Sequence, residues 1–506
     1  MMHMREEAKT NGTLHDYADW SGRLVQGVGW TYTALIGSRL AAFASMAFLA
    51  RLLSPSAFGQ LGSALLVITY LDALGDLGAG SALIYFRKNS EEAAQVSFRI
   101  NLIAAMVWWC VVTALAPLAA GFFHEESVVP LLRALAWIFP ITALGNTHDA
   151  LLKSNLSFGR RLVPDCARSV LKATCAIVLA WQGWGVWSLV WGQLAGAAVW
   201  VLTLWLLMRW RPRLGAPMGM ARRMLRYGSH IASINVLSTV VHHLDLLIVA
   251  RILGSAALGF YTLASRIPEV CITMLIWAID TVAFPAYSKL QDDSAMLRQA
   301  FRSTLRYVSI ATLPVGLGIV FTAGPAVSLF YGDRWLPSVP VVVGLSLAAV
   351  IRSLDSHAGN IFKATGRPDL LTKIGIARAL FLLPALIWSS RWGIAGIAWA
   401  QAAMTAASTV ATLIIAGRVL AIPRAAWWCE MRPALAGSAG MVLVVLTMRP
   451  ITAGWPAIPM ILSMVIAGAT GYAMSLYLNS PAMVRHISIS VLSVFGRAAA
   501  GGNKCE

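Results

Sequence analysis

Ala50-Arg51-Leu52-Leu53-Ser54-Pro55-Ser56-Ala57-Phe58-Gly59 returns later in the chain as Ala250-Arg251-Ile252-Leu253-Gly254-Ser255-Ala256-Ala257-Leu258-Gly259. Ala50/Ala250, Arg51/Arg251, Leu53/Leu253, Ala57/Ala257 and Gly59/Gly259 are identical, and Leu52/Ile252 and Phe58/Leu258 are similar in kind. Each copy closes one long apolar segment, turns tightly on small residues and opens another. An Arg and a Gly shared at a shared turn weigh against coincidence between Ala/Leu-rich segments. In a chain this apolar, such a repeat marks two homologous halves of a membrane bundle.

Composition agrees. The chain is 58% hydrophobic and 12% charged, against about 25% charged in soluble proteins. Lipid must be the solvent for most of it. The net charge of +18 comes from basic residues at segment ends rather than from one patch, which argues against a nucleic-acid partner. Cys110, Cys166, Cys175, Cys271, Cys429 and Cys505 are scattered. They fit neither a metal nor a disulfide spacing and read as small hydrophobes. The polar start, residues 1–26, has no apolar signal region, so insertion without a cleaved signal peptide is expected.

Apolar runs able to cross about 30 Å of hydrocarbon fall at 27–52, 58–86, 94–121, 128–152, 162–182, 185–209, 227–252, 258–287, 303–330, 338–362, 370–389, 392–417, 432–449 and 454–478. The expected fold is an all-α integral membrane protein of about fourteen spans. Its plan is a cytoplasmic tail (1–26), a six-helix bundle (27–209), a basic linker (210–226), a second six-helix bundle (227–417), two further spans (418–478) and a cytoplasmic tail (479–506). Residues 484–492 could lie on the inner surface as an amphipathic helix.

Alternate connections carry clusters such as Lys153, Arg160 and Arg161, or Arg209, Arg211, Arg213, Arg222, Arg223 and Arg226. The others hold about one basic residue or none. The positive-inside rule places the basic set, and with it both termini, in the cytoplasm. Because each repeat holds an even number of spans, the two halves are expected to be related by an axis along the membrane normal.

Charges inside spans are costly, so each is a functional candidate. Arg39, Arg133, Lys172, Arg352 and Arg378 sit at internal depths on five spans, and a net basic cavity that takes an anion satisfies them together. Phosphate suits Arg geometry. Asp72 and Asp76 lie four apart, on one helix face. With His242, His243, Asp245 and Asp280 they are candidates for ion coupling. Arg266/Glu269 and Arg352/Asp355, each three apart, are, taken singly, better read as simple mutual neutralisation, as are Asp165 and Arg168. Gly75-Asp76-Leu77-Gly78-Ala79-Gly80 has the glycines of a phosphate loop but no preceding strand, and close helix packing explains it better. Asn155-Leu156-Ser157 is a glycosylation sequon on an inner loop and is discounted. HExxH, GxSxG and Walker motifs are absent from the sequence, and neither a metal nor a cofactor is expected.

Four stretches together resemble the polysaccharide transporters (Wzx-like lipopolysaccharide and exopolysaccharide exporters) of the multidrug/oligosaccharidyl-lipid/polysaccharide superfamily. They are Asp76 to Ile84, Asp245 to Tyr261, Phe284-Pro285-Ala286-Tyr287-Ser288-Lys289-Leu290-Gln291 and Phe362-Lys363-Ala364-Thr365-Gly366-Arg367. The resemblance covers roughly residues 25–420. It implies paired six-helix bundles working by alternating access, driven by an ion gradient rather than ATP. It also implies an undecaprenyl-pyrophosphate-linked oligosaccharide as cargo, moved across the bacterial inner membrane, and a polysaccharide polymerase and chain-length machinery as possible partners. Asp76 and Asp245 match acidic positions of the family's motifs.

The expectation is therefore a flippase in which the pyrophosphate pairs with Arg39 and neighbours among Lys172, Arg133 and Arg352, while the prenyl chain stays in membrane lipid. Protonation of Asp245, assisted by His242 or His243, would couple the cycle, with Asp72, Asp76 and Asp280 as rivals. Three other readings compete. A multidrug antiporter of the same superfamily would prefer an acidic cavity. A polysaccharide-modifying enzyme usually needs a large external loop, which is lacking here. A pure scaffold would leave the buried Arg and Lys without a role.

Overall fold

The computed structural model describes residues 37–75, 80, 82–83, 90–155, 158–213, 218–367 and 369–481. Asp76, the N-terminal tail, the C-terminal tail beyond residue 481 and the amphipathic segment at 484–492 lie outside these. The described secondary structure is helical throughout, as expected for a chain that must satisfy its backbone polar groups within lipid. Nine continuous stretches among the described residues are long and apolar enough to cross a membrane. The helix Phe158–Trp181 is not among them, because Asp165, Arg168 and Lys172 interrupt its apolar run. The chain divides into two compact units, one ending at Gly259 and the other beginning at Phe260.

The first unit opens with α1 (residues 37–52) and α2 (Pro55–Gly75). The turn between them is written in its residues. Ser54 Oγ accepts from Ala57 N at 3.3 Å, and Pro55 takes the first helical position, where its missing N–H costs nothing. Next come α3 (Ser90–Phe123), α4 (Val128–Leu135) and α5 (Ile138–Ser154). The span expected at 128–152 runs on as one apolar stretch, with its α-helical bonding broken at residues 136–137. Pro140 is the cause: it has no N–H for the Ala136 carbonyl, which Phe139 N takes instead at 3.1 Å.

The helices α6 (Phe158–Trp181) and α7 (Val186–Leu207) form a hairpin whose turn holds Gly183 and Gly185 at φ +85° and +53°. Their backbones meet at two glycines. A Cβ on Gly192 would lie 2.9 Å from the Lys172 carbonyl oxygen, and one on Gly196 would lie 2.9 Å from Lys172 Cβ. Small residues one turn apart permit this approach in membranes. The helix α8 (Met218–His242) is followed by the short α9 (Leu244–Ile248), a π-helical turn (Val249–Leu253) and α10 (Gly254–Pro268), which Gly254 opens at φ +84°.

In the second unit, α10 continues through a π-helical turn (Glu269–Thr273) into α11 (Met274–Lys289). The long α12 (Ser294–Tyr331) is capped by Asp293, whose carboxylate accepts from Ala295 N and Met296 N at 2.9 and 3.0 Å. After it come α13 (Val339–Ser353), α14 (Ala358–Ala364), α15 (Asp369–Ser389) and α16 (Gly393–Leu420). The final pair is α17 (Arg424–Ile451) and α18 (Ala457–Asn479).

The sequence gives this last pair no counterpart in the repeat, but the structure gives it a place. A glycine face joins its two helices: a Cβ on Gly440 would fall 2.4 Å from Ser475 Cβ, and one on Gly471 would fall 2.8 Å from Val444. Two polar contacts then dock it on α12. Tyr472 donates to the Ile310 carbonyl at 2.9 Å, and the buried Glu430 carboxylate accepts from Arg302 Nε at 2.8 Å and Arg306 Nε at 2.6 Å.

Candidate functional site

The second unit holds the densest set of charges inside apolar helices. Arg352 stands on the last turn of α13, Asp355 in the break before α14, and Arg378 midway along α15. Asp355 has the hydroxyls of Thr409 and Thr412 and the guanidinium groups of Arg352 and Arg378 as polar neighbours. Arg378 Nη2 donates to Thr405 Oγ1 at 3.4 Å. The Nε of Arg352 is buried and donates to no acceptor among the described residues. Of the expected anion-binding residues, Arg352 and Arg378 are therefore brought together. The simple pairing of Arg352 with Asp355 is not the whole arrangement, because the guanidinium of Arg378 also acts on that carboxylate.

The wall opposite these charges is α16, through Gln401, Thr405, Thr409 and Thr412, all buried. Spacings of four, four and three put them on one helix face. Sequence reasoning passed over them because it searched for formal charges. A polar stripe on an otherwise apolar span was the available signal. Asp280 on α11 accepts from Asn360 Nδ2 on α14 at 3.4 Å, with Lys363, Ser356 and Asp355 as its other polar neighbours.

In the first unit the candidates are more dispersed. Arg39 on α1, Asp72 on α2 and Arg133 on α4 have exposed side chains. Lys172 is exposed on α6 beside the glycine seam with α7. The charge acting on Asp72 is Arg168 of α6, which lies 5.9 Å from the centre of the Trp200 ring, and Trp200 Nε1 donates to Asp165 at 3.2 Å. Asp149 is committed to Arg161 at 2.6 Å and Lys153 at 2.7 Å. His242, His243 and Asp245 stand together at the α8–α9 break. The two imidazole rings are 5.2 Å apart, Tyr70 OH donates to the His243 carbonyl at 3.1 Å, and the Asp245 carboxylate accepts from Leu246 N at 2.9 Å.

At the end of this unit that holds the repeated turns, Glu125 accepts from Ser127 Oγ at 2.8 Å, Ser255 Oγ at 2.9 Å and Gln60 Nε2 at 3.4 Å. It thereby ties α2, the α3–α4 connection and α10 into one contact. At the opposite end, Gln95 on α3 donates to the Arg211 carbonyl at 3.3 Å and accepts from Arg213 N at 2.6 Å. His148 Nε2 lies 3.3 Å from the Trp210 carbonyl. The first residues of the basic linker are thus pinned to the bundle they leave. Among the described residues no group of His, Cys, Asp and Glu is placed to hold a metal.

Comparison with known proteins gives the chain its relatives. It is 26% identical over 367 residues to the lipopolysaccharide biosynthesis protein WzxC of Escherichia coli (strain K12), covering 72% of this chain and 75% of that one. It is 24% identical over 367 residues to the succinoglycan biosynthesis transport protein ExoT of Rhizobium meliloti (strain 1021), covering 72% and 74%. Its fold matches the lipid II flippase MurJ in an inward closed conformation, with a TM-score of 0.74 and 14% identity over 90% of this chain and 99% of that one. The family described as polysaccharide biosynthesis protein matches residues 48–340, more than half of the sequence, and the chain belongs to that family.

Proposed function

We propose that the protein is a flippase that moves undecaprenyl-pyrophosphate-linked oligosaccharide across the bacterial cytoplasmic membrane for lipopolysaccharide or exopolysaccharide synthesis. The observation that carries this reading is the Arg352–Asp355–Arg378 cluster against the threonine face of α16. It is a net positive, hydroxyl-lined site inside apolar helices, and an incoming phosphate supplies the second negative charge that two guanidinium groups call for. Relatives named for biosynthesis and transport support a transporter over an enzyme.

In this mechanism the pyrophosphate reaches the Arg352–Arg378 site with help from Arg39, Arg133 and Lys172, the sugars travel in water, and the prenyl chain stays in lipid. Protonation of Asp245 beside His242 and His243 is the coupling step, with Asp72, Asp76 and Asp280 as the other acidic candidates. The clusters of Arg and Lys in alternate connections support a cytoplasmic position for both termini. A polymerase and chain-length machinery on the outer side would consume the delivered repeat unit.

The test is reconstitution. A fluorescent prenyl-pyrophosphate oligosaccharide in proteoliposomes should become accessible to an outer-leaflet probe when a pH gradient is applied, and Arg39→Ala and Arg378→Ala should abolish this. Unchanged flipping in both variants would overturn the anion site. Sugar polymerisation or acyl transfer without flipping would overturn the transport reading.

A further inference from the structure

At the end of α16 the chain turns into α17 through three residues, 421–423, with Ala421 at φ +53°. This elbow borders a cavity of about 400 Å³ whose walls include Ile414, Gly417, Arg418, Ile422 and Trp427. The size falls within the range of ligand-binding clefts, about 300–1,000 Å³. Trp427 is packed from two sides. A Cβ on Gly417 would stand 3.2 Å from Trp427 Cζ2, so the missing side chain is what lets the indole lie against the backbone of α16. From the other side Phe301 of α12 meets the same ring edge-on, with centroids 5.6 Å apart.

Arg418 is the charged residue of the lining. It is exposed and enters no ion pair among the described residues. The neighbouring basic residues differ, because Arg302 and Arg306 are both committed to Glu430. One turn below Arg418 on the same face of α16 is Ile414, and a further turn down is Val410, which is 57% exposed. A guanidinium, an indole and an aliphatic track therefore follow one another from the helix end into the span. Trp and Arg at a membrane–water boundary are suited to a headgroup, while an exposed aliphatic stripe is suited to an acyl chain.

We propose that the α16–α17 elbow is a binding site for one anionic phospholipid, with its phosphate on Arg418 beside Trp427 and an acyl chain along Ile414 and Val410. A free phosphate would use the guanidinium but leave the aliphatic track unexplained, and a zwitterionic lipid would use the track without matching the net charge. The site stands apart from the Arg352–Arg378 cluster, and it does not depend on which cargo the protein moves.

Native mass spectrometry of the full-length protein, delipidated in detergent and titrated with phosphatidylglycerol, tests this directly. One phosphatidylglycerol should be retained in preference to phosphatidylethanolamine. Arg418→Glu should weaken retention roughly tenfold or more, as expected for loss of a charge-assisted contact. Arg418 is exposed, so the variant should fold, which its unfolding temperature checks. Arg449→Glu makes the same charge change at the far end of α17 and should retain the lipid as the wild type does. The proposal fails if Arg418→Glu retains phosphatidylglycerol unchanged or if Arg449→Glu loses it equally. It also fails if phosphatidylethanolamine is retained equally, or if millimolar inorganic phosphate displaces the lipid, which would make the site one for free anions.

Discussion

Gly59 and Ser255 are in backbone contact: a Cβ on Gly59 would fall 1.6 Å from the Ser255 carbonyl oxygen. The relation is reciprocal through the repeat, since a Cβ on Gly259 would fall 1.9 Å from the Pro55 carbonyl oxygen. The two copies of the turn that organise the sequence are therefore packed on each other, the opening two turns of α2 against those of α10. Neither oxygen belongs to a side chain that could rotate away. Gly59→Ala must separate the two helices and should lower stability by about 1–3 kcal/mol, the usual cost of overpacking. Gly121→Ala on α3 meets nothing within 4 Å and should be neutral. Thermal unfolding of the two variants in one detergent compares them, and equal midpoints would refute the contact.

Glu430 organises the α17–α18 pair with an asymmetry that mutation can expose. Its side chain is 2% exposed, whereas those of Arg302 and Arg306 are 44% and 39% exposed. Glu430→Gln frees two arginines that water can reach, and should cost about 1–2 kcal/mol. Removing both arginines instead strands a carboxylate out of water and should cost about 3–5 kcal/mol. The ordering is the prediction. If Glu430→Gln proves the more damaging in thermal unfolding, the carboxylate is not the buried partner that burial implies.

How much of this was legible beforehand depended on where the information sits. The turn at Ser54 and Pro55 was readable because capping and proline geometry are local. So was the interruption before Pro140, yet hydropathy windows score apolar length and run straight through it. The role of Glu430 was not readable, because burial of an acidic residue near a span end is decided by α12, more than a hundred residues away in sequence. The threonine face of α16 was readable by spacing, but neutral hydroxyls carry little weight in a search for charge. Arg352 and Arg378 were legible as charges within apolar segments. Their convergence on Asp355 required the packing of α13, α15 and α16.

That convergence yields a graded prediction for transport. Arg378 both faces Asp355 and donates to Thr405, so Arg378→Gln should lower the initial flipping rate by about tenfold or more, the scale of one charge-assisted contact. Thr405→Val removes one neutral hydroxyl and should cost only about 1 kcal/mol, a fewfold loss. Asp355→Asn separates two roles for the carboxylate. If it serves only to neutralise the arginines, its removal leaves them to the pyrophosphate, and substrate should bind tighter while release slows. If it orients them, binding should weaken. Equilibrium binding of a prenyl pyrophosphate and the flipping rate, measured on the same preparation, distinguish the two. With the two guanidinium groups facing one carboxylate, tighter binding with slower turnover is the expected result, and weakened binding together with slowed flipping would assign Asp355 to positioning instead.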